Sequence, residues 1–297
     1  MRLIKSLDEI RSLTLDLRNR DAIVALVPTM GALHEGHLSL VRRAKSDGGA
    51  LVVSIFVNPT QFGPSEDYAL YPRNLARDCA ALAPFDPEIV FVPDASAMYP
   101  DGFATYVTPG NVAERFEGAV RPGHFRGVAT IVLKLLNLVT PDVAYFGQKD
   151  FQQTAALRRM IADFNLATRA LICPTVREPD GLALSSRNAY LGPEDRRAAL
   201  VLYRSLSRAR ELFHGGETRA DALATEMRDV LEAEPRAKID YAAVVRPDTL
   251  GPPVKVTSGC VALVAARVGP ARLIDNVILG PAGASDEELI ELATRSS

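Results

Sequence analysis

Apolar positions along this chain switch repeatedly between two periods. Leu7, Ile10, Leu13 and Leu17 recur at helical spacing behind Ser6, which with Glu9 has the form of a capping box. Residues 22–27 form a short apolar run rich in β-branched side chains, the pattern of a strand buried on both faces. A helix over 36–45, a second buried strand over 50–57, a helix over 74–82 and a strand over 88–92 follow. Beyond them, 128–138 predicts an apolar helix stopped before Pro141, 143–146 a strand, 151–163 a helix and 169–173 a strand. This alternation predicts an α/β fold, a Rossmann-like doubly wound parallel sheet. Such sheets bind ligands beyond the carboxyl ends of their strands. Between 93 and 127 the chain is rich in Pro, Gly and aromatics, as functional loops or a flap would be.

The pattern changes after Asn188. Gly192-Pro193 marks a helix start, and two helical patterns run to near Gly215 and Pro235. Three strand-like runs follow, over 239–245, 260–268 and 271–279. Helices followed by grouped strands predict a smaller C-terminal α+β domain. The expected division is 1–176 for the Rossmann-like domain and 177–297 for the smaller one.

Composition narrows the class of protein without altering this fold. With 47% hydrophobic and 24% charged residues the chain is an ordinary globular one, which excludes collagen-like and disordered classes. A formal net charge of −2 supplies no electrostatic reason to expect a nucleic-acid partner. Cys79, Cys173 and Cys260 are scattered, with no CxxC pair, which argues against a disulfide framework or a structural zinc site and for a reducing cytoplasm. Residues 1–9 have no apolar signal core, and the longest apolar run, 50–57, falls well short of the ~20 residues that span a bilayer. A soluble cytoplasmic protein without a membrane partner is expected.

Candidate chemistry gathers at strand ends. Pro28-Thr29-Met30-Gly31-Ala32-Leu33-His34-Glu35-Gly36-His37 leaves a buried strand and opens a helix, whose N-terminal amides and dipole favour anions. Gly31 and Gly36 admit phosphates close to the backbone, and His34 and His37, three apart, can face one phosphate and offset its charge. HxxH is also a metal-ligand spacing, but no third ligand lies nearby. Ser54 to Phe62 ends the second strand in Asn58 and Gln61, amides suited to an uncharged, hydroxylated substrate; taken alone, this is an Asn-Pro turn with a solvated Gln61. Gly147-Gln148-Lys149-Asp150 repeats the strand, glycine turn and helix arrangement. Asp150 with Gln153 suits an N-cap pair, while Lys149 is a cation misplaced for the helix dipole unless a phosphate binds there. Leu184-Ser185-Ser186-Arg187 offers two hydroxyls and a guanidinium to a triphosphate, or is a polar linker. Arg121 to Gly127 forms a basic, glycine-containing loop that suits a mobile lid. Asp78, on a helix, is more simply a solvated surface acid than a Mg²⁺ ligand.

Six segments in order, PTMGALHEGH, FVNPTQF, YPR, RPGHFRGVAT, VREPDGLALSSRN and RLIDN, resemble the pantothenate synthetase (pantoate–β-alanine ligase) family of the HIGH-motif nucleotidyltransferase superfamily, from about Ile23 to Leu279. The resemblance implies ATP-driven condensation of pantoate with β-alanine through a pantoyl adenylate, releasing AMP and pyrophosphate, with Mg²⁺ accompanying ATP. It implies that Pro28 and Met30 to His37, then Gly147 to Asp150, Val176, Leu184, Ser185, Ser186 and Arg187 contact ATP. It implies that Met30, Gln61 and Gln153 bind pantoate and that Gln61 also faces β-alanine. It makes His37 the proton donor, joined by His34, Lys149 and Arg187, and it implies a homodimer whose smaller domain closes over the active site. Gln148 stands where this family usually has Glu. Two rivals remain at this level: a nucleotidyltransferase acting on a phosphorylated acceptor, and a tRNA-synthetase-like or nucleotide-sensing module. The first would need an extra cationic site for the acceptor phosphate, whereas the amide-lined FVNPTQF turn better suits an uncharged, hydroxylated tail; the second lacks a basic surplus.

Overall fold

The computed structural model describes residues 1–64, 66 and 68–295. They form two compact units, Met1–Phe146 with Gln153–Ile172, and Gly147–Gln152 with Cys173–Ser297.

In the first unit, β1 (Arg2–Ile4), α1 (Leu7–Arg18), β2 (Val24–Thr29), α2 (Glu35–Ser46), β3 (Ala50–Ile55), α3 (Leu75–Leu82) and β4 (Ile89–Phe91) follow one another. Two short helices, α4 (Ala95–Met98) and α5 (Glu117–Val120), interrupt the loops that lead to α6 (His124–Val139), β5 (Val143–Gly147), α7 (Phe151–Asp163) and β6 (Arg169–Cys173). The strands form a six-stranded sheet in the order β1-β4-β3-β2-β5-β6. Its registers are parallel, with Leu26 opposite Val52 on one side and Ala144 on the other. Val24 to Val27 and Leu51 to Ser54 are sealed on both faces, which is why the sequence runs apolar there without alternation. The chain winds outward from β2 through β3 and β4, then returns to lay β5 on the opposite side. The strand order therefore reverses between β2 and β5, where open α/β sheets form their crevice.

Ser6 accepts from the Glu9 amide and starts α1 as the sequence predicts. β1 is a three-residue edge strand that carries no recognisable period, and it exists through its pairing with β4.

In the second unit, α8 (Pro193–Ala198), α9 (Leu200–His214) and α10 (Ala220–Glu232) precede the antiparallel β7 (Ala237–Val245), β8 (Val261–Val268) and β9 (Ala271–Ile278). Leu202, Leu206, Leu223, Met227 and Leu231 of the helices pack with Ala262, Val264, Ala266 and Leu273 of the sheet. A last helix, α11 (Asp286–Thr294), opens on a full capping box of Ser285 and Glu288. No helix among the described residues is long and apolar enough to cross a membrane.

Candidate active site

The turn from β2 to α2 is built around a buried carboxylate. Gly31 (φ +80°) and Ala32 (φ +50°) both take left-handed backbone, which turns the next amides inward as a small anion-binding concavity. Asp78 of α3, 2% exposed, fills it and accepts from the Leu33 amide at 2.8 Å and the Ala32 amide at 3.1 Å. Position 31 admits only glycine, because a Cβ would stand 2.8 Å from the Asp78 Oδ2 and 3.1 Å from Ile55. Asp78 is therefore no solvated surface acid. Nor is it placed as a Mg²⁺ ligand: each of its oxygens is committed to a backbone amide, and it shapes the turn.

The helix that follows starts on two imidazoles. His34 Nδ1 accepts from the Gly36 amide (3.1 Å) and His37 Nδ1 accepts from the His34 amide (3.4 Å), a capping box made of histidines. The rings lie 4.1 Å apart. With both Nδ1 atoms accepting, Nε2 of each ring is the position left to donate. Glu35 pairs with Arg42 on the surface at 2.7 Å.

At the end of β3, Asn58 caps the 3-10 turn Pro59–Gln61 and the chain turns inward. Gln61 is 8% exposed, opposite to the solvated side chain of an isolated Asn-Pro turn. Asn58 is a hub. Its Nδ2 donates to Gln61 Oε1 (3.0 Å) and to the Gly127 carbonyl (3.1 Å), and its Oδ1 accepts from the Tyr99 hydroxyl (2.7 Å) and the Thr60 hydroxyl (3.0 Å). Gln61 Nε2 donates to the Met30 sulfur (3.1 Å), which joins the β3 turn to the β2 turn. α6 seats on this assembly at Gly127, where a Cβ would come within 2.3 Å of the Thr60 carbonyl oxygen.

The first residue of α6, His124, is buried and donates from Nδ1 to the Gln61 carbonyl at 2.9 Å. Its Nε2 lies 3.1 Å from Arg121 Nη1, so it accepts there. Burial, then the Arg121 charge, depress its pKa to about 4, and the ring is neutral at pH 7. Arg121 grips Glu66 through two contacts of 2.7 Å. Burial works to raise the Glu66 carboxyl, but the Arg121 guanidinium outweighs it and holds it below the ordinary range. The loop expected over 121–127 therefore ends at Gly123, and His124 to Gly127 form the first turn of α6.

In the second unit, Asn276 of β9, 1% exposed, holds the turn that follows β5. Its Nδ2 donates to the carbonyls of Gln148 (3.1 Å) and Lys149 (2.9 Å), and Gln148 Nε2 donates to its Oδ1 (3.1 Å). Lys149 Nζ lies 3.8 Å from the Asp150 carboxylate, so a weak ion pair accompanies the cation that the helix dipole disfavours. The Leu184 amide donates to the Val176 carbonyl (3.0 Å), closing a hairpin turned at Gly181. Ser185 accepts from the Arg187 amide (3.3 Å) and caps the 3-10 segment Ser186–Tyr190. Gln153, in the first turn of α7, is partly buried.

Tyr99 and Asn276 are the site residues that pattern reasoning does not single out. Tyr99 lies 41 residues from Asn58, with nothing local to mark it. Asn276 has a signal only in the RLIDN segment.

The reversed strand order with a histidine-capped turn at its centre defines a doubly wound α/β protein of the nucleotide-binding type. Residues 2–278 match the family model described as pantoate-beta-alanine ligase, and the chain belongs to that family. It is 54% identical to the pantothenate synthetase of Roseiflexus castenholzii, covering 94% of this chain and 99% of that one, and 50% identical to that of Thermotoga petrophila, covering 94% and 100%. Among solved structures, it superposes on the pantothenate synthetase of Thermus thermophilus with a TM-score of 0.90 at 47% identity, over 95% of this chain and all of that one. The Francisella tularensis pantoate-beta-alanine ligase, complexed with beta-gamma ATP and beta-alanine, gives a TM-score of 0.77 at 35% identity, over 94% and 97%.

Proposed function

We propose that this protein is an AMP-forming carbon–nitrogen ligase that condenses (R)-pantoate with β-alanine, consuming ATP and releasing AMP and pyrophosphate through a pantoyl adenylate. The observation that carries this reading is the joining of two unlike binding turns. Paired imidazole donors suited to phosphate open α2, and the buried Gln61 amide, tied to Met30, suits a hydroxylated acid at the next strand end. Family membership supports the same reading.

In the first step the pantoate carboxylate attacks the α-phosphorus in line and pyrophosphate departs. Catalysis is positioning plus charge neutralisation, with no covalent enzyme intermediate. His37 and His34 donate from Nε2 to phosphate oxygens, Lys149 and Arg187 add positive charge, and Ser185 and Ser186 hold the triphosphate. Asp150 accepts from a ribose hydroxyl, while Gly147, Gln148, Val176 and Leu184 complete the nucleotide contacts. Gln61, Gln153 and Met30 take pantoate, and Gln61 also faces β-alanine. In the second step the neutral amine of β-alanine attacks the acyl carbon and AMP leaves.

The described residues contain no group of three His, Cys, Asp or Glu arranged to hold a metal ion. Mg²⁺ enters as the partner of ATP, held mainly by phosphate oxygens, as that ion prefers. A cytoplasmic homodimer built of a domain 1–176 and a closing domain 177–297 completes the proposal, and sedimentation in solution checks the dimer.

The test is AMP and pyrophosphate release from MgATP with pantoate and β-alanine added singly and together. Sustained AMP release that needs both acids is expected. Release that needs neither, or none with both, refutes the reading.

A further inference from the structure

Two backbone groups decide which end of the Gln61 amide faces outward. Asn58 Oδ1 lies 3.4 Å from the Thr60 backbone nitrogen, which only donates, and Asn58 Nδ2 lies 3.1 Å from the Gly127 carbonyl, which only accepts. The Asn58 amide therefore sits one way round, with its NH₂ turned to Gln61 at 3.0 Å. Gln61 answers with its oxygen, so Oε1 is the inward end. Its NH₂ is left to project, against the Met30 sulfur at 3.1 Å. A thioether is a weak acceptor and yields to a carboxylate or hydroxyl oxygen.

Behind Asn58 stands Tyr99, at the end of α4. Asn58 Oδ1 carries no proton, so the Tyr99 hydroxyl donates to it, at 2.7 Å. With its single proton spent there, Tyr99 accepts in its 3.1 Å contact with the Thr60 hydroxyl. Burial pushes the Tyr99 hydroxyl above its ordinary pKa, which keeps it protonated and donating. The contacts thus run in one direction, from Thr60 to Tyr99, to Asn58, to Gln61, and donors in line strengthen one another.

We infer that Tyr99 is a positioning residue for substrate binding: through Asn58 its hydroxyl holds Gln61 as a hydrogen-bond donor, so this end of the site selects an acid by an oxygen that accepts, an assignment that rests on the proposed role of Gln61 toward pantoate. A carboxylate, hydroxyl or carbonyl oxygen suits such a donor, and a group that can only donate, such as an ammonium, does not. Replacing Tyr99 by Phe removes the hydroxyl and leaves the ring beside Phe56 and Phe103. Asn58 Oδ1 then keeps only the longer Thr60 contacts, at 3.0 and 3.4 Å, and holds the Gln61 amide less firmly.

The experiment is calorimetric titration of the full chain with pantoate, in the parent, Tyr99→Phe, Gln61→Ala and the double variant. Tyr99→Phe should weaken pantoate about fivefold or more in the parent background, yet less than about twofold once Gln61 is Ala, because its effect passes through that amide. A packing role would cost the same factor in both backgrounds. Affinity for a non-hydrolysable ATP analogue should stay within about twofold of the parent in Tyr99→Phe, which guards against a variant that simply misfolds. Thr60→Val, which removes the outermost donor, should give a smaller loss with the same dependence on Gln61. A second measurement needs no ligand: in nitrogen-labelled protein the side-chain amide signals of Asn58 and Gln61 should move in Tyr99→Phe, and those of Asn276 should not. Undiminished pantoate binding by Tyr99→Phe, an equal loss in both backgrounds, or an unmoved Gln61 amide signal would each overturn the assignment. Missing AMP release with these effects intact would refute the catalytic reading alone, whereas a parent chain that binds no pantoate would overturn both.

Discussion

Replacing Asp78 by Asn changes almost nothing in size yet removes one of two acceptors beneath the β2–α2 turn. The carboxylate accepts from Ala32 and Leu33 at 3.1 and 2.8 Å. Whichever way the Asn amide is turned, its NH₂ faces one of these backbone N–H groups. The loss is one hydrogen bond to a charged acceptor together with a stranded buried donor, about 2–4 kcal/mol in all. For a unit of about 150–250 residues each kcal/mol moves Tm by roughly 2–4 °C, so the first unit should melt roughly 4–16 °C earlier. Affinity for a non-hydrolysable ATP analogue should fall with it, because the turn that places His34 and His37 loosens. Thermal unfolding followed by circular dichroism, with MgCl₂ and with EDTA, is the assay. A Tm within about 1 °C of the parent refutes the reasoning. A loss seen only with Mg²⁺ present would return Asp78 to the role of metal ligand.

Lys149→Ala should lower AMP release by about 10²–10³, the usual cost of removing one donor aimed at developing charge, with circular dichroism unchanged; wild-type turnover refutes its role. Gly127→Ala should cost about 1–3 kcal/mol and raise the KM for pantoate, because its Cβ meets the Thr60 carbonyl at 2.3 Å and pushes α6 off the Gln61 turn. A fully stable variant with parental KM would show that this contact is not needed. His124 titrates near 4 in the fold against 6.5 when free, so the native state binds its proton less readily than the unfolded chain. Stability is full above about pH 6.5 and falls on acidification by about 1.4 kcal/mol per unit, about 3 kcal/mol by pH 4. His124→Asn, which keeps a donor for the Gln61 carbonyl, should lack this loss between pH 6.5 and 4.5 in urea titrations; an unchanged pH dependence would exclude His124 as its source.

The periodic elements are legible in the sequence because their determinants are local. The apolar runs at β2 and β3, the 151–163 helix and the Ser6 cap depend on residues within a turn or two of one another. The HIGH-type turn is legible for the same reason, since strand, glycines and histidines sit within ten residues. The capping box of Ser285 and Glu288 is equally local, and α11 is thus a helix that the sequence announced and pattern reading passed over. Roles that depend on partners distant in sequence needed the tertiary structure. Asp78 looks like any surface acid until the fold lays α3 against a turn 45 residues away. Gln61 reads as solvated until Asn58, Met30 and Gly127 enclose it, and His124 reads as loop until α6 packs on that turn. Local periodicity carries the burial pattern of one segment, whereas a hydrogen bond across the core is fixed only when the sheet brings its two ends together.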